Sequence, residues 1–255
     1  MSAFGRSMVQ RALFVALLVT AWWAAALARG AGFPSPGQVA AALLRGIGDH
    51  TLLTAVGASV GRMIIGYTAA ALIGLSLGLA LAKWQWMENT VGSLALSLQA
   101  LPGVCWLPLA LLWFGSSEGA VLVVVIMGAL FTIATATRDA IRQVPPLIIH
   151  AGQTLGAQTR ALYFELILPA ALPSLIGGLR VGWSFAWRAL MAGELIYTGA
   201  GLGRVLDAGR RSGDPAQIIA TIIVIILVGV AANALLFNPL ESVVRRRWGL
   251  TAPSQ

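Results

Sequence analysis

"HAGQTLGAQTRALYFELILPAALPSL", residues 150–175, is a polar interruption in a chain that otherwise reads as lipid-soluble. Gln, Thr, Arg and Glu are scattered through helix-forming sequence that ends at Leu168-Pro169. Just upstream, Pro145-Pro146 predicts a helix start, because proline is preorganised for the first helical turn. Residues 147–155 continue that helix, and Gly156 suits the left-handed position that follows a helix end. A second helix is predicted over 158–168, stopping where Pro169 begins the approach to the next apolar run. The insert, about 138–171, therefore reads as helix, glycine turn, helix. An amphipathic helix lying flat on a membrane is the alternative. The first helix is too short and carries too little basic charge for that. A projecting helix–turn–helix suits docking into another protein through residues 147–157, with Leu147, Ile148 and Leu155 supplying apolar contact.

The flanking composition explains why an insert is needed. Of 255 residues, 58% are hydrophobic and 10% charged, against about 25% charged in an average globular domain. Apolar runs long enough to cross ~30 Å of hydrocarbon recur. They predict an all-α, polytopic membrane protein of about six transmembrane helices, one domain over 1–255, with spans near 12–28, 54–82, 91–114, 119–137, 172–198 and 216–240. The first run also has the form of a secretory signal, with Arg11, an apolar core and "ALA" before Arg29. The adjacent Trp22 and Trp23 fit a retained span near an interface better. Between spans 1 and 2, Pro36 starts a predicted amphipathic helix with Val39, Leu43, Leu44 and Ile47 on its apolar stripe.

The net charge of +8 comes from seventeen basic residues, of which Lys83 is the only lysine. Most lie in loops between spans, where membrane topology explains them, so nucleic-acid binding is not implied. With a cytoplasmic N-terminus, the inside carries Arg6, Arg11, Lys83, Arg138, Arg142, Arg160 and Arg245 to Arg247. The outside carries Arg29, Arg45, Arg204, Arg210 and Arg211, nearly cancelled by Asp49, Glu118, Asp207 and Asp214. The excess places both termini and the insert inside.

Catalytic and nucleotide motifs are missing or misplaced. "GASVG" (57–61) matches the serine-hydrolase elbow, but the two histidines, His50 and His150, fall on opposite sides of the membrane. The expected role of Gly57 and Gly61 is close helix packing, shared by Gly74/Gly78 and Gly178/Gly182. No Gly-Lys dipeptide occurs, so there is no Walker A. "GAGLG" (199–203) reads as an external turn, and no Cys/His/carboxylate cluster has metal-ligand spacing. Charges within spans are more informative. Arg62, Arg180, Arg188 and Glu194 each cost at least ~2.5 kcal/mol facing lipid at mid-bilayer. They are expected to face the interior or a cavity, with Arg62, Arg188 and Glu194 clustered and Ser184 nearby on the translocation path. Two prolines, Pro102 and Pro108, predict a span 3 that bends.

His150-Ala151-Gly152, Gly156 and Leu166-Ile167-Leu168-Pro169 resemble the "EAA---G---------I-LP" loop of permease subunits of bacterial ATP-binding-cassette importers. His150 stands where the pattern has Glu, and Gly152 where it has the second Ala. The continuation "LPAALPSLIGGLRVGWSFAWRALMAGELI" resembles the sulfonate, taurine and nitrate permease group. The likeness extends over about 50–247. It implies a multi-pass protein of the bacterial cytoplasmic (inner) membrane that moves a small, anionic solute by alternating access. Spans 2, 3 and 5 would line the gap between two copies. It implies that Leu147, Ile148, His150, Ala151, Gly152, Leu155, Gly156, Ala157, Leu168 and Pro169 form the ATPase-coupling segment. It implies a homodimer, two cytoplasmic ATPases holding ATP and Mg, a periplasmic or lipid-anchored solute-binding protein, and no cofactor in this chain. A thiamine-precursor pyrimidine, bicarbonate or an aromatic acid are alternative solutes. A membrane-bound enzyme or scaffold is the alternative from another class.

Overall fold

The computed structural model describes residues 3–29 and 32–247, and among them regular structure is entirely helical. The side chains of Arg6, Arg11, Arg29, Arg245 and Arg247, which enter the orientation count, lie outside the described ones. The order begins with α1 (Ala3–Arg29), α2 (Pro36–Gly48) and α3 (Thr51–Lys83). Next, α4 (Gln85–Met87), a π turn over Glu88–Gly92 and α5 (Ser93–Gln99) form one rod. A tight turn over Gly103–Trp106 leads into α6 (Leu107–Phe114), followed by α7 (Glu118–Arg142) and α8 (Pro146–Thr154). Then α9 (Thr159–Ala161), a π turn over Leu162–Ile167 and α10 (Leu168–Glu194) form a second continuous rod. The chain ends with α11 (Leu202–Ser212) and α12 (Pro215–Ala232), the latter continued by Asn233–Phe237 into α13 (Asn238–Arg247).

Among the described residues, four helices are long and apolar enough to cross a membrane: Thr51–Lys83, Glu118–Arg142, Thr159–Glu194 and Pro215–Val244. The expected third span is instead a broken pair, Gln85–Gln99 and Gly103–Phe114, bent by 105°. Pro102 makes the break. It has no N–H to continue the helix, it adopts an extended conformation, and Cys105 N–H bonds its carbonyl to start a new turn. Pro108 bends nothing, because it falls in the first turn of α6, where a missing N–H costs no helical bond. In α1 the apolar stretch is Ala16–Ala28, about 20 Å of helix, short of the ~30 Å core. The six expected spans therefore become four straight ones, one bent one and a shorter apolar helix. Trp22 Nε1 donates to the Pro34 carbonyl at 3.0 Å, tying α1 to the entrance of α2.

The predicted amphipathic helix is α2, started by Pro36 and by a capping box between Ser35 and Gln38. Its inward face differs from the expected stripe. Val39, Ala42 and Leu43 turn inward, Val39 and Ala42 against Ala216 and Ala220 of α12, whereas Leu44 and Ile47 are exposed. Burial follows the partner helix, and 39, 42 and 43 are the i, i+3, i+4 face that meets it.

The centre of the molecule is α7, flanked by α3 and α10. Its apolar window is 56% buried, whereas that of the α12 span is only 11% buried. Small residues at every fourth position let the helices approach. On α3, Gly66, Ala70, Gly74 and Gly78 face Val125, Ile133 and Thr137 of α7, and on α10, Gly178 and Gly182 face Ala136 and Ile133. Gly57 and Gly61, expected to pack likewise, are exposed, and a Cβ on either meets nothing within 4 Å. The buried residue of that turn is Ser59, on the opposite face.

A Cβ on Gly78 lies 2.5 Å from the Ala134 carbonyl oxygen and also against Thr137. Backbone cannot step aside as a side-chain tip does. Gly78→Val is therefore expected to lose about 1–3 kcal/mol or more, lowering the thermal midpoint in detergent. Gly57→Val, measured beside it, leaves that midpoint within the error of the wild type. Equal midpoints for Gly78→Val and wild type would refute this packing account.

Candidate functional sites

The insert begins as predicted. Pro146 opens α8, and Ile148 N–H bonds the Pro145 carbonyl. Gly156 ends the helix at φ +82. Gly156 N–H donates to Gln153 O and Ala157 N–H to Gly152 O, each at 3.0 Å, which is the paired bonding of a Schellman end. Leu147 and Leu155 are 78% and 88% exposed, and His150 and Ala151 are exposed beside them. Ile148 differs from expectation: it packs inward with Ile149 against Val144, Leu162 and Ile167. The helix has an anchoring face and a presenting face, and Ile148 lies on the first.

Gly152 is buried on that anchoring side. A Cβ there meets Leu166 Cδ1, and Leu162 Cδ1 at 2.9 Å. Glycine at this point lets two leucines of the following rod close against α8, which offsets the ~1 kcal/mol of helix propensity lost relative to alanine.

The second helix of the insert does not stop at Leu168-Pro169. Thr159–Glu194 is continuous. Pro169 cannot donate to the carbonyl of Glu165, and the chain absorbs this by a π turn in which Leu168 N–H reaches back to Tyr163 O. Such one-turn π segments concentrate at functional sites. The turn over Leu162–Ile167, against which α8 packs, is thereby joined to Glu194 by one unbroken rod.

That far end holds a buried polar cluster. Glu194 is fully buried, and its carboxylate accepts from three donors. Ser59 Oγ is at 2.7 and 2.9 Å from its two oxygens, Arg62 Nη1 at 2.8 Å and Gly203 N–H at 3.0 Å. Ser59 Oγ in turn accepts from Leu202 N–H at 2.9 Å. Arg62 is only 6% exposed. It also donates to Glu118 at 2.9 Å and to the Ala200 carbonyl at 2.6 Å, and lies over the Tyr197 ring at 4.7 Å. "GAGLG" is thus more than a turn. Gly201 and Gly203 pass so close to Glu194 that a Cβ on either meets its atoms within about 2.6 Å. Near this cluster, Asp207 of α11 pairs with Arg210 and Arg211. The hydrogen bond from Arg210, with that from Arg211, holds its carboxyl below the usual carboxylate range.

Arg188 is not in the cluster. It lies on an exposed face of α10, donating to the Ser184 carbonyl at 3.1 Å and lying over the Phe185 ring at 4.8 Å. Among the described residues no carboxylate lies within ion-pair distance of it. With Ser184 it borders an open groove between α10 and α12. Arg180 pairs with Glu241 at 3.4 Å and bonds Asn233.

At the insert end, Arg138 bridges Glu88 at 2.9 Å and Asp139 at 2.7 Å, and Arg142 reaches Glu88 and the Leu81 carbonyl. These bonds clamp the start of the α4–α5 rod to the ends of α3 and α7. Among the described residues no group of three or more His, Cys, Asp or Glu forms a metal site.

The sequence pattern of the family described as "Binding-protein-dependent transport system inner membrane component" matches residues 72–248. The chain belongs to this family. It is the transmembrane permease subunit of an ATP-binding-cassette importer, a multi-pass protein of the inner membrane. Membership implies an ATPase and a solute-binding protein as partners. The permease is 30% identical over 89% of its length, and 82% of the other chain, to the taurine transport system permease protein of Escherichia coli strain K12. It is 26% identical to the nitrate import permease protein of Synechocystis, covering 89% of this chain and 86% of that one. Its fold is that of a chain of the MetNI methionine ABC transporter in an inward-facing conformation, with a TM-score of 0.65 and 18% identity, covering 79% of this chain and 97% of that one.

Sequence reasoning missed four members of the permease's buried cluster. Ser59 enters the sequence pattern only within a false hydrolase motif, Tyr197 only as the end of span 5, Glu118 only as an outside charge, which its 57% exposure bears out, and the 200–203 turn only as exterior. The available signal was a Gly-x-Gly following a span-borne glutamate, since two residues without side chains let main-chain N–H groups reach a carboxylate.

Proposed function

We propose that this permease carries a small anion, of the nitrate, sulfonate or bicarbonate class, through the gap between two copies of itself. The carrying observation is Arg188, a cation on an exposed face of a membrane rod with no carboxylate beside it among the described residues. Facing lipid it would cost several kcal/mol; facing a water-filled gap it offers an anion a charged donor, with Ser184 a turn away. Proteins similar to this one are named for taurine, nitrate and bicarbonate transport, all of which carry a negative group. α3, α10 and the bent α5–α6 segment line the gap. The insert and both termini are cytoplasmic, with the short α1 making the sixth crossing through a locally thinned bilayer, and two ATPases with ATP and Mg seat the exposed face of α8. Opening and closing of the ATPase pair tilts α8, and the α9–α10 rod carries that tilt to the opposite end.

Arg62, the other candidate for the path, is occupied by two carboxylates and a carbonyl. Its role is to hold the cluster together. Arg188→Gln is expected to lower ATP-driven anion uptake in proteoliposomes by about tenfold or more, the worth of one charge-assisted contact, with basal ATP hydrolysis intact. Arg62→Gln instead lowers the amount of folded permease. Undiminished uptake of nitrate, taurine and bicarbonate by Arg188→Gln at matched protein level, where wild type transports one of them, would refute the role of Arg188.

A further inference from the structure

Four cations around the ends of α3 and α7 and the start of the α9–α10 rod divide into two sets. Arg138 and Arg142 are neutralised by Glu88 and Asp139. Lys83 and Arg160 are exposed, and among the described residues neither has a carboxylate within ion-pair distance. These two border one groove, of about 420 Å³, between the end of α3, the end of α7 and the start of the α9–α10 rod. Its body is apolar, with Leu79, Ile141, Phe164 and Leu168 among the lining residues. Phe164 is 65% exposed and Leu79 44%. Trp84 and Trp86, both exposed, follow Lys83 directly, and the Lys83 ammonium lies 5.2 Å from the Trp84 ring centre. Exposed tryptophans next to a basic residue at the end of a span mark the membrane–water boundary.

The groove therefore combines an exposed apolar trough with two unneutralised cations, one of them beside tryptophans of the kind found at a membrane boundary. A small anion matches the cations and leaves the trough bare. An apolar ligand matches the trough and leaves the cations bare. We propose that the groove is the seat of an anionic phospholipid in the leaflet at the insert end. Lys83 and Arg160 hold its phosphate, and the first carbons of an acyl chain lie along Phe164 and Leu79. Under the orientation proposed above this is the cytoplasmic leaflet, where anionic lipids attract basic groups. The lipid then lies against the π turn through which α8 is joined to α10, wedged between that joint and α3.

The test uses the assembled transporter in nanodiscs of phosphatidylcholine with rising fractions of phosphatidylglycerol, read by thermal midpoint. The lipid is present on both faces, so the result does not depend on the proposed orientation or solute. Wild type is expected to be stabilised by phosphatidylglycerol. Lys83→Gln with Arg160→Gln is expected to need about 30-fold more of it, roughly fivefold for each cation lost. Lys83→Arg with Arg160→Lys keeps the wild-type dependence, which separates charge from misfolding. Glycerol phosphate added in solution gives no shift, because it lacks the chain. The same phosphatidylglycerol dependence in wild type and the double glutamine variant would overturn the proposal, as would its absence from wild type. Loss of the ATPase from Arg160→Gln, with lipid dependence unchanged, would assign the groove to a protein contact instead and equally overturn it.

Discussion

Glu194→Ala is expected to lower permease stability by about 3–5 kcal/mol, the cost of leaving a buried partner charge uncompensated. A loss of that size is a large share of a marginal stability of about 5–15 kcal/mol, so less folded protein reaches the membrane. Every group that touches the carboxylate is a donor: the Ser59 hydroxyl, the Arg62 guanidinium and the Gly203 N–H. Glu194→Gln therefore does not restore the site. Its amide keeps one accepting oxygen but turns two N–H donors toward donors, and a loss approaching that of alanine is expected. Arg62 retains Glu118, whose side chain is 57% exposed, so its charge is partly screened. That contact sets the lower end of the range. The measurement is the thermal midpoint of the purified permease, with the folded fraction from gel filtration. Glu194→Leu combined with Arg62→Leu removes both charges and is expected to recover part of the loss, as apolar replacements of buried pairs do. A wild-type midpoint for Glu194→Gln would show that the carboxylate's charge is not what the three donors require.

Much of this architecture is legible in the amino-acid sequence. The polar insert, its Pro145-Pro146 start and the left-handed Gly156 follow from local backbone rules, which act wherever the residues occur. The small-residue faces at Gly74/Gly78 and Gly178/Gly182 were legible for the same reason. Features set by a partner segment were not. Gly57 and Gly61 have the same spacing as Gly74 and Gly78, yet only the second pair meets α7. Leu44 and Ile47 have the same polarity as Val39 and Leu43, yet only the second pair turns inward. Arg188 and Arg62 looked equivalent because both are span-borne arginines at similar depth. Rotation about their helix axes separates them, burying one against two carboxylates and leaving the other exposed. Local rules make Pro169 a stop, because proline removes a helical bond. The π turn over Leu162–Ile167 absorbs that loss without breaking the rod, and nothing in the local sequence announces it.

Gly156→Val is expected to separate folding from coupling. Nothing lies within 4 Å of a Cβ built at this position, so the side chain has room. The penalty comes from φ +82, which a β-branched residue adopts only at about 2 kcal/mol or more. To relieve it the chain must give up the bonds from Gly156 N–H to Gln153 O and from Ala157 N–H to Gly152 O. The end of α8 then frays, and Leu155 leaves the face that it shares with Leu147. The contacts among α3, α7 and α10 are remote from this turn, so the amount of permease in the membrane is expected to stay at the wild-type level. ATPase retained on the purified permease is expected to fall about tenfold or more, as 2 kcal/mol implies. Gly156→Asn is the control for geometry, since asparagine tolerates the left-handed region; it is expected to retain most of the ATPase. Leu155→Asp is the control for contact, because it leaves the turn intact and places a charge on the presented face. If both Gly156→Val and Leu155→Asp lose the ATPase while Gly156→Asn keeps it, the turn acts by aiming that face. Full ATPase retention by Gly156→Val would show that the seat tolerates a frayed α8, and that the Schellman end serves the fold of the insert alone.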